Sequence, residues 1–335
     1  MVDLSTEYLG MKLKNPVIAG SSGLTNSAKS IKEFEENGAG AVVLKSIFEE
    51  EIAFEYEDVL KEAESKGYDL DQFDYYDYKI KEDNIDKYTT LITESKKNVS
   101  IPVIASVNCV YSHEWLAFAS QLEKAGADAL ELNMFFLPSD FKRTTEEKEK
   151  AYFQIIEQVQ KAVTLPIALK ISYYFSNLGP MIQKLSETGV AGLVLFNRFF
   201  SPDFDIDKFE VKNSNVFSAP SDLSISLRWI AIMAERVKCD LAASTGVHDG
   251  EALIKQLLAG ADAVQVASTL YQNGKGRINE MLKTLEDWME GKGFASLADF
   301  RGKMSQAKSS NPAAYERAQF MRYFGGKKQK DPDPA

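Results

Sequence analysis

The sequence predicts an α/β chain folded as a (β/α)8 TIM barrel, with insertions after strands two and six. Three observations carry that expectation: eight short apolar strands, two alternating kinds of strand entry, and helix-patterned segments between most of them. One kind of strand is entered through a proline or small residue, in Asn15-Pro16-Val17-Ile18-Ala19, Ile101-Pro102-Val103-Ile104-Ala105, Leu165-Pro166-Ile167-Ala168-Leu169 and, in weaker form, Cys239-Asp240-Leu241-Ala242-Ala243. The other follows a helix-ending glycine, in Gly38-Ala39-Gly40-Ala41-Val42-Val43, Gly126-Ala127-Asp128-Ala129-Leu130, Gly189-Val190-Ala191-Gly192-Leu193-Val194 and Gly260-Ala261-Asp262-Ala263-Val264. Glycine suits those positions because a helix C-terminus commonly ends in left-handed backbone. The kinds alternate strictly, four times each, and near-continuous apolar strands separated by helices imply a parallel sheet. Eight such units close most naturally into one barrel rather than two domains.

Taken in order, helical periodicity spans residues 27–37, 113–125, 145–163, 177–188 and 221–237, with a C-terminal helix over 277–290. A first insertion, residues 47–100, follows strand two. Between Glu49 and Glu94 it holds sixteen acids against five lysines, and across 47–100 it holds six of the fourteen tyrosines (Tyr56, Tyr68, Tyr75, Tyr76, Tyr78, Tyr88). Its charges fit a solvated helical excursion and its tyrosines a lid or subunit contact. A second insertion, residues 199–220, follows strand six and begins Phe199-Phe200-Ser201-Pro202-Asp203-Phe204, an apolar loop placed to cover a planar ligand. Residues 1–324 are expected to form the single barrel domain, and residues 325–335, with Lys327, Lys328 and Lys330, a disordered tail.

Composition narrows the function. Of 335 residues, 44% are hydrophobic and 26% charged, as in a soluble globular protein. No apolar run reaches the ~18 residues of a membrane helix, and the start is no signal peptide, so a cytoplasmic protein is expected. Cys109 and Cys239 are the only cysteines and His113 and His248 the only histidines, which gives no disulfide framework and no metal-binding spacing. The net charge of −10 speaks against nucleic acid as a partner.

In a barrel the chemistry sits at the C-terminal ends of the strands. Those positions read Gly20-Ser21-Ser22-Gly23, Lys45-Ser46, Val107-Asn108-Cys109, Glu131-Leu132-Asn133, Lys170-Ile171-Ser172, Phe196-Asn197-Arg198, Ser244-Thr245-Gly246 and Ser268-Thr269. The last two are small and hydroxylated, with a glycine, so backbone N–H groups there approach an anion closely. Loops after barrel strands seven and eight built this way suit a phosphorylated substrate or a flavin mononucleotide; ordinary turn corners are the plain alternative. Lys45 and Lys170 end apolar strands, where a purely solvated role is less expected than on a surface helix. Asn133 and Asn197 offer amide edges to a ligand with carbonyl or amide groups.

These residues resemble the dihydroorotate dehydrogenase family, class 1-like. The resemblance runs from Leu9-Gly10 and Asn15-Pro16 through Ala19-Gly20-Ser21-Ser22-Gly23, Lys45-Ser46, Glu131-Leu132-Asn133, Lys170 and Asn197 to Ser244-Thr245-Gly246-Val247 and the closing Phe294-Ala295-Ser296-Leu297-Ala298-Asp299-Phe300. It implies an FMN-dependent oxidoreductase of pyrimidine biosynthesis that acts on a CH–CH bond of dihydroorotate or a related dihydropyrimidine-like substrate. It also implies a homodimer and an electron acceptor that the sequence does not name. Ala19, Gly20, Ser21, Gly23, Lys45 and Ser46 would contact the flavin ring and ribityl chain. Lys170 would lie at the N1/C2 edge and Gly246, Val247, Ser268 and Thr269 at the phosphate, with Ser244, Thr245 and Asn133 also binding the cofactor, and Asn133 and Asn197 at the substrate. The family's general base, a cysteine or serine three residues after the asparagine of Glu-Leu-Asn, is replaced by Phe136, and phenylalanine accepts no proton. Ser139 and Cys109 are the nearby substitutes, each with a plain reading as a turn cap or a small buried residue.

Two other functions stay open at this point. One is a lyase or isomerase in which Lys45 or Lys170 forms a Schiff base with a phosphorylated substrate. The other is a non-catalytic flavin-binding relative, suggested by Phe136. An iron–sulfur centre would need a partner subunit, since the chain has no cysteine cluster.

Overall fold

The computed structural model describes residues 2–48, 73–108, 115–134, 137–139, 141–199, 201–212 and 216–316, with backbone alone for 73–83 and 115–117. The eight expected strands are all present: β3 (Val17–Ala19), β4 (Ala41–Val43), β6 (Val103–Asn108), β7 (Ala129–Met134), β8 (Ile167–Ile171), β9 (Gly192–Leu195), β12 (Asp240–Ser244) and β13 (Ala263–Val266). They pair in parallel in the order β4-β3-β13-β12-β9-β8-β7-β6, and β4 pairs with β6 to close the barrel. A two-residue strand, β5 (Ile47–Phe48), extends the edge of β6. Between the strands run α1 (Ala28–Glu36), α2 (Phe73–Asn98), α3 (Trp115–Lys124), α4 (Thr145–Ala162), α5 (Leu178–Ser186), α6 (Leu223–Met233) and α7 (Gly250–Ala259); α8 (Ser268–Asn273) and α9 (Arg277–Lys292) follow β13.

The repeat read from the sequence has a physical basis. Gly38, Gly126, Gly189 and Gly260 all adopt positive φ, between 87° and 118°, where a side chain would be strained. In the two Gly-Ala-Asp-Ala copies the aspartate ties its strand to a neighbour: Asp128 Oδ2 accepts from Val103 N at 2.7 Å, and Asp262 Oδ2 from Leu241 N at 2.8 Å.

Strand alternation separates two cores. Outward residues pack against the helices, while Ile18, Ala41, Val43, Ile104, Ala129, Ala168, Val194, Ala242 and Ala263 meet inside the barrel. That inner layer is mostly alanine, and the volume it leaves is taken by Tyr8, Leu9 and Leu13 of an antiparallel hairpin, β1 (Thr6–Tyr8) and β2 (Met11–Leu13), that plugs the N-terminal end. A Cβ on Gly192 would meet Leu9 Cδ2 at 2.6 Å and the Tyr8 ring at 3.3 Å, so the plug needs glycine there. Asp240 Oδ2 accepts from Leu9 N at 2.7 Å and secures it.

The first insertion differs from the expected excursion. Residues 73–98 form one 26-residue helix whose later turns enter the core: Ile92 and Ser95 are fully buried, and Lys96 pairs with Asp128 at 2.7 Å. Tyr88 is no subunit contact, since it is 7% exposed, its hydroxyl donates to Ser106 O, and it accepts from Ser106 N at 2.9 Å. Tyr56 and Tyr68 lie outside the described residues, as do Cys109, His113, Phe136 and the 325–335 tail.

Beneath the barrel, burial pushes the Asp262 carboxyl up to about 6, with Arg301 at 3.0 Å and the Leu241 N–H opposing and Asp240 reinforcing the shift. An unfolded aspartate ionises near pH 4, so between about pH 4 and pH 6 the native state holds the extra proton. The contribution of Asp262 to stability therefore falls as pH rises through that window, and its cost is complete above about 6. Denaturant titrations of the wild type and Asp262→Asn across this range should show the stability difference moving in favour of the variant as pH rises, by on the order of 2 kcal/mol.

Candidate active site

Two residues beyond the inward apolar position, most of the strands turn polar, β9 being an exception with Phe196 after Val194. Ala129 is followed by Glu131, Ala168 by Lys170, Ala242 by Ser244, Ala263 by Gln265 and Ile104 by Ser106, while Ile18 is followed by Gly20. The plug fills the lower end, so these side chains form the floor of the open C-terminal mouth.

Above that floor lies a cavity of about 440 Å³, within the size range of small-molecule and cofactor sites. Of the residues singled out in the sequence, Gly20, Ser21, Lys170, Asn197, Ser244, Thr245, Gly246, Val247 and Ser268 line it. Gly20 N donates to Val266 O at 2.9 Å, joining the first loop to the last strand. Ser21, Ser46 and Ser106 form a hydroxyl chain, with Oγ separations of 3.0 and 2.7 Å. Thr245 and Gly246 both have positive φ, and the Thr245 hydroxyl donates to Phe196 O at 3.0 Å. The N–H groups of Ser268 and Thr269 open α8 and have no carbonyl partner within their own helix.

Lys170 is 8% exposed and enters a buried network. Its Nζ donates to Gln265 Oε1 at 2.9 Å and stands 3.8 Å from Glu131 Oε1; Gln265 Nε2 donates to Glu131 Oε2 at 2.5 Å. Asn197 Nδ2 donates to Asn133 Oδ1, so the two asparagines meet.

Other expected residues sit differently. Ala19 is fully buried within β3. Lys45 is half-buried beyond the cavity lining, as is Asn133, and Thr269 is fully buried with its hydroxyl donating to His248 O at 3.0 Å. Gly23 borders the cavity from outside, and a Cβ on it would meet the Tyr271 hydroxyl at 2.8 Å. Ser139 is exposed and does not line the cavity, so the structure does not bring it to the site. Cys109 lies outside the described residues.

The sequence reading missed Gln265, Glu131 as a partner of Lys170, Ser218, His248, Arg198 and the aromatic pair Phe217–Tyr271, whose centroids are 5.2 Å apart. Ser218 Oγ lies 3.0 Å from His248 Nε2, and Ser218 N donates to Ser268 Oγ at 2.9 Å, which pins the second insertion over one end of the cavity. Burial holds the His248 imidazole below its ordinary value, so it is neutral at neutral pH. Arg198 donates to Val216 O at 3.0 Å and pairs with Asp222 at 3.4 Å. At the far end of that insertion β10 (Asp203–Asp205) and β11 (Glu210–Lys212) form a hairpin on which Phe204 and Val211 pair in the open, 66% and 63% exposed.

The sequence model of dihydroorotate dehydrogenase matches residues 73–289, more than half of the chain. The chain belongs to the dihydroorotate dehydrogenase family. It is 28% identical over 316 residues to the dihydroorotate dehydrogenase B (NAD(+)) catalytic subunit of Thermoplasma volcanium, covering 90% of this chain and 98% of that one. It is 25% identical over 311 residues to the putative dihydroorotate dehydrogenase A (fumarate) of Aeropyrum pernix, covering 91% and 98%. In fold it is similar to dihydroorotate dehydrogenase from Eimeria tenella, solved in complex with ferulenol, with a TM-score of 0.62 at 15% identity over 90% of this chain and 88% of that one.

Gly246 offers a direct test of how tightly this wall is built. Its φ is +78°, and a Cβ would fall 2.0 Å from Leu223 N. Gly246→Ala should lower the unfolding free energy by roughly 2 kcal/mol or more in denaturant melts, since both the backbone and the contact must shift.

Proposed function

We propose that this protein is an FMN-dependent oxidoreductase of the dihydroorotate dehydrogenase type, acting on a CH–CH bond of dihydroorotate or a related dihydropyrimidine-like substrate. The observation that carries the reading is the pairing, across one cavity, of a buried lysine with a small-residue backbone cradle in a chain of this family.

The residues suit FMN by their chemistry. At one end the backbone at Gly246, Val247 and Ser268 supplies N–H donors without bulky side chains, as a phosphate requires. At the other, the Lys170 ammonium, the Gln265 amide and the Ser21 hydroxyl face the space that a heteroaromatic ring edge would take, and Gly20 leaves room beside it. Bound FMN would supply the hydride acceptor. Lys170 stabilises negative charge at the ring edge. Ser46, through Ser21 and Ser106, fixes the first loop. Asn197 and Asn133 would orient the substrate through amide hydrogen bonds, and the pinned strap at Ser218 narrows access to water.

The Schiff-base reading is not favoured. Lys170 is already engaged by Gln265 and Glu131, and the family does redox chemistry. The non-catalytic reading is likewise not favoured by the family membership. We further infer that the chain works as a homodimer and passes its electrons to a separate acceptor.

Anaerobic addition of dihydroorotate to the purified protein should bleach the flavin absorbance. Lys170→Ala should slow that bleaching by about a hundredfold in protein that retains its flavin, and should also lower the thermal unfolding midpoint, since it leaves the buried Glu131 without its cation. Unchanged reduction kinetics in the variant would remove Lys170 from the mechanism.

A further inference from the structure

We propose that Gln265 is a positioning residue that holds the Lys170 ammonium at the cavity edge and keeps it from collapsing onto Glu131. The proposal rests on the flavin reading above and assigns a role to a residue three strands round the barrel from the lysine.

Lys170 and Glu131 do not form a contact ion pair, since Nζ stands 3.8 Å from Oε1. Charge-assisted contacts of this kind normally close to about 2.8 Å. Nothing else competes for the carboxylate oxygen: Glu131 is 1% exposed, and among the described residues its Oε1 has no hydrogen-bond partner. In so buried a place the attraction is weakly screened, and the open pair needs a reason.

Gln265 supplies it. A carboxylate only accepts and an ammonium only donates, so an amide between them has one satisfied orientation, with its NH2 on Glu131 and its oxygen on Lys170. The structure has that arrangement, at 2.5 Å and 2.9 Å. The amide therefore draws the ammonium sideways. Glu131 sits one layer lower, in register with Ala168 rather than with Lys170, so collapse onto it would carry the positive charge down and away from the cavity. Gln265 itself is 2% exposed and also lines the cavity, which puts the bridge beside the ligand space.

The test is a double-variant cycle read on the flavin. Reversible addition of sulfite to oxidised flavin N5 leaves negative charge on the ring, and its affinity reports a cation at the N1/C2 edge. Gln265→Met keeps the volume and removes the amide; it should bind FMN, weaken sulfite binding by about tenfold and make the flavin potential more negative. In Gln265→Met/Glu131→Gln the lysine has no carboxylate to fall onto, and sulfite affinity should recover to within about threefold of the wild type. A merely structural role would give losses that add rather than cancel. Wild-type sulfite affinity and potential in Gln265→Met, or a double variant worse than either single one, would overturn the proposal. Should Gln265→Met not fold, Gln265→Asn, one methylene too short to span both groups, carries the same expectation and the same refutation. A wild-type protein that takes up no flavin would overturn the parent reading together with this one, and it is seen before any variant is made.

Discussion

A closed barrel of eight strands must fill its own interior, and here the filling comes from one end. The inner layer is built largely of alanines, with Gly192 among them, and Tyr8, Leu9 and Leu13 occupy the space those small residues leave. Burying that hairpin consumes the lower half of the barrel as apolar core. The next inward position on each strand then faces upward into the mouth, where Glu131, Lys170, Ser244 and Gln265 converge from strands far apart in sequence. The site thus depends on the plug: without a filled base, the same polar residues would border a hole instead of a floor.

That floor is electrostatically unusual. A lysine and a glutamate, both nearly dry, share an amide, and the lysine and the amide line the cavity above. Buried charge is tolerable when each group is hydrogen-bonded, and the chain from Lys170 through Gln265 to Glu131 meets that condition except at one glutamate oxygen. The arrangement gives the ligand space a fixed cation without opening it to water, which is what a ring that gains negative charge on reduction requires.

Much of this was legible in the sequence. Eight strands were marked because prolines and helix-ending glycines punctuate them, and periods of 2 and 3.6 follow from local geometry alone. The cradle at Ser244–Val247 and Ser268 was legible for the same reason, since small residues at strand ends are a local signal. What escaped was non-local. Gln265 meets Glu131 across 134 positions, and inward-facing strand residues carry no mark of which partner they meet. Helix α2 was obscured by its acidic, tyrosine-rich surroundings, which hid the core positions Tyr88, Ile92 and Ser95. Ser139 follows β7 closely in sequence, yet it is exposed and does not line the cavity. The β1–β2 hairpin went unread because three-residue strands leave too little periodicity to register.

Whether the mouth of this barrel holds flavin mononucleotide, as proposed, is read most directly from the visible absorbance spectrum of the purified protein, with the released chromophore identified by mass. The expected result is the two absorption bands of an oxidised flavin and a released molecule with the mass of FMN, near one per chain. A colourless protein that also fails to take up added FMN would contradict it.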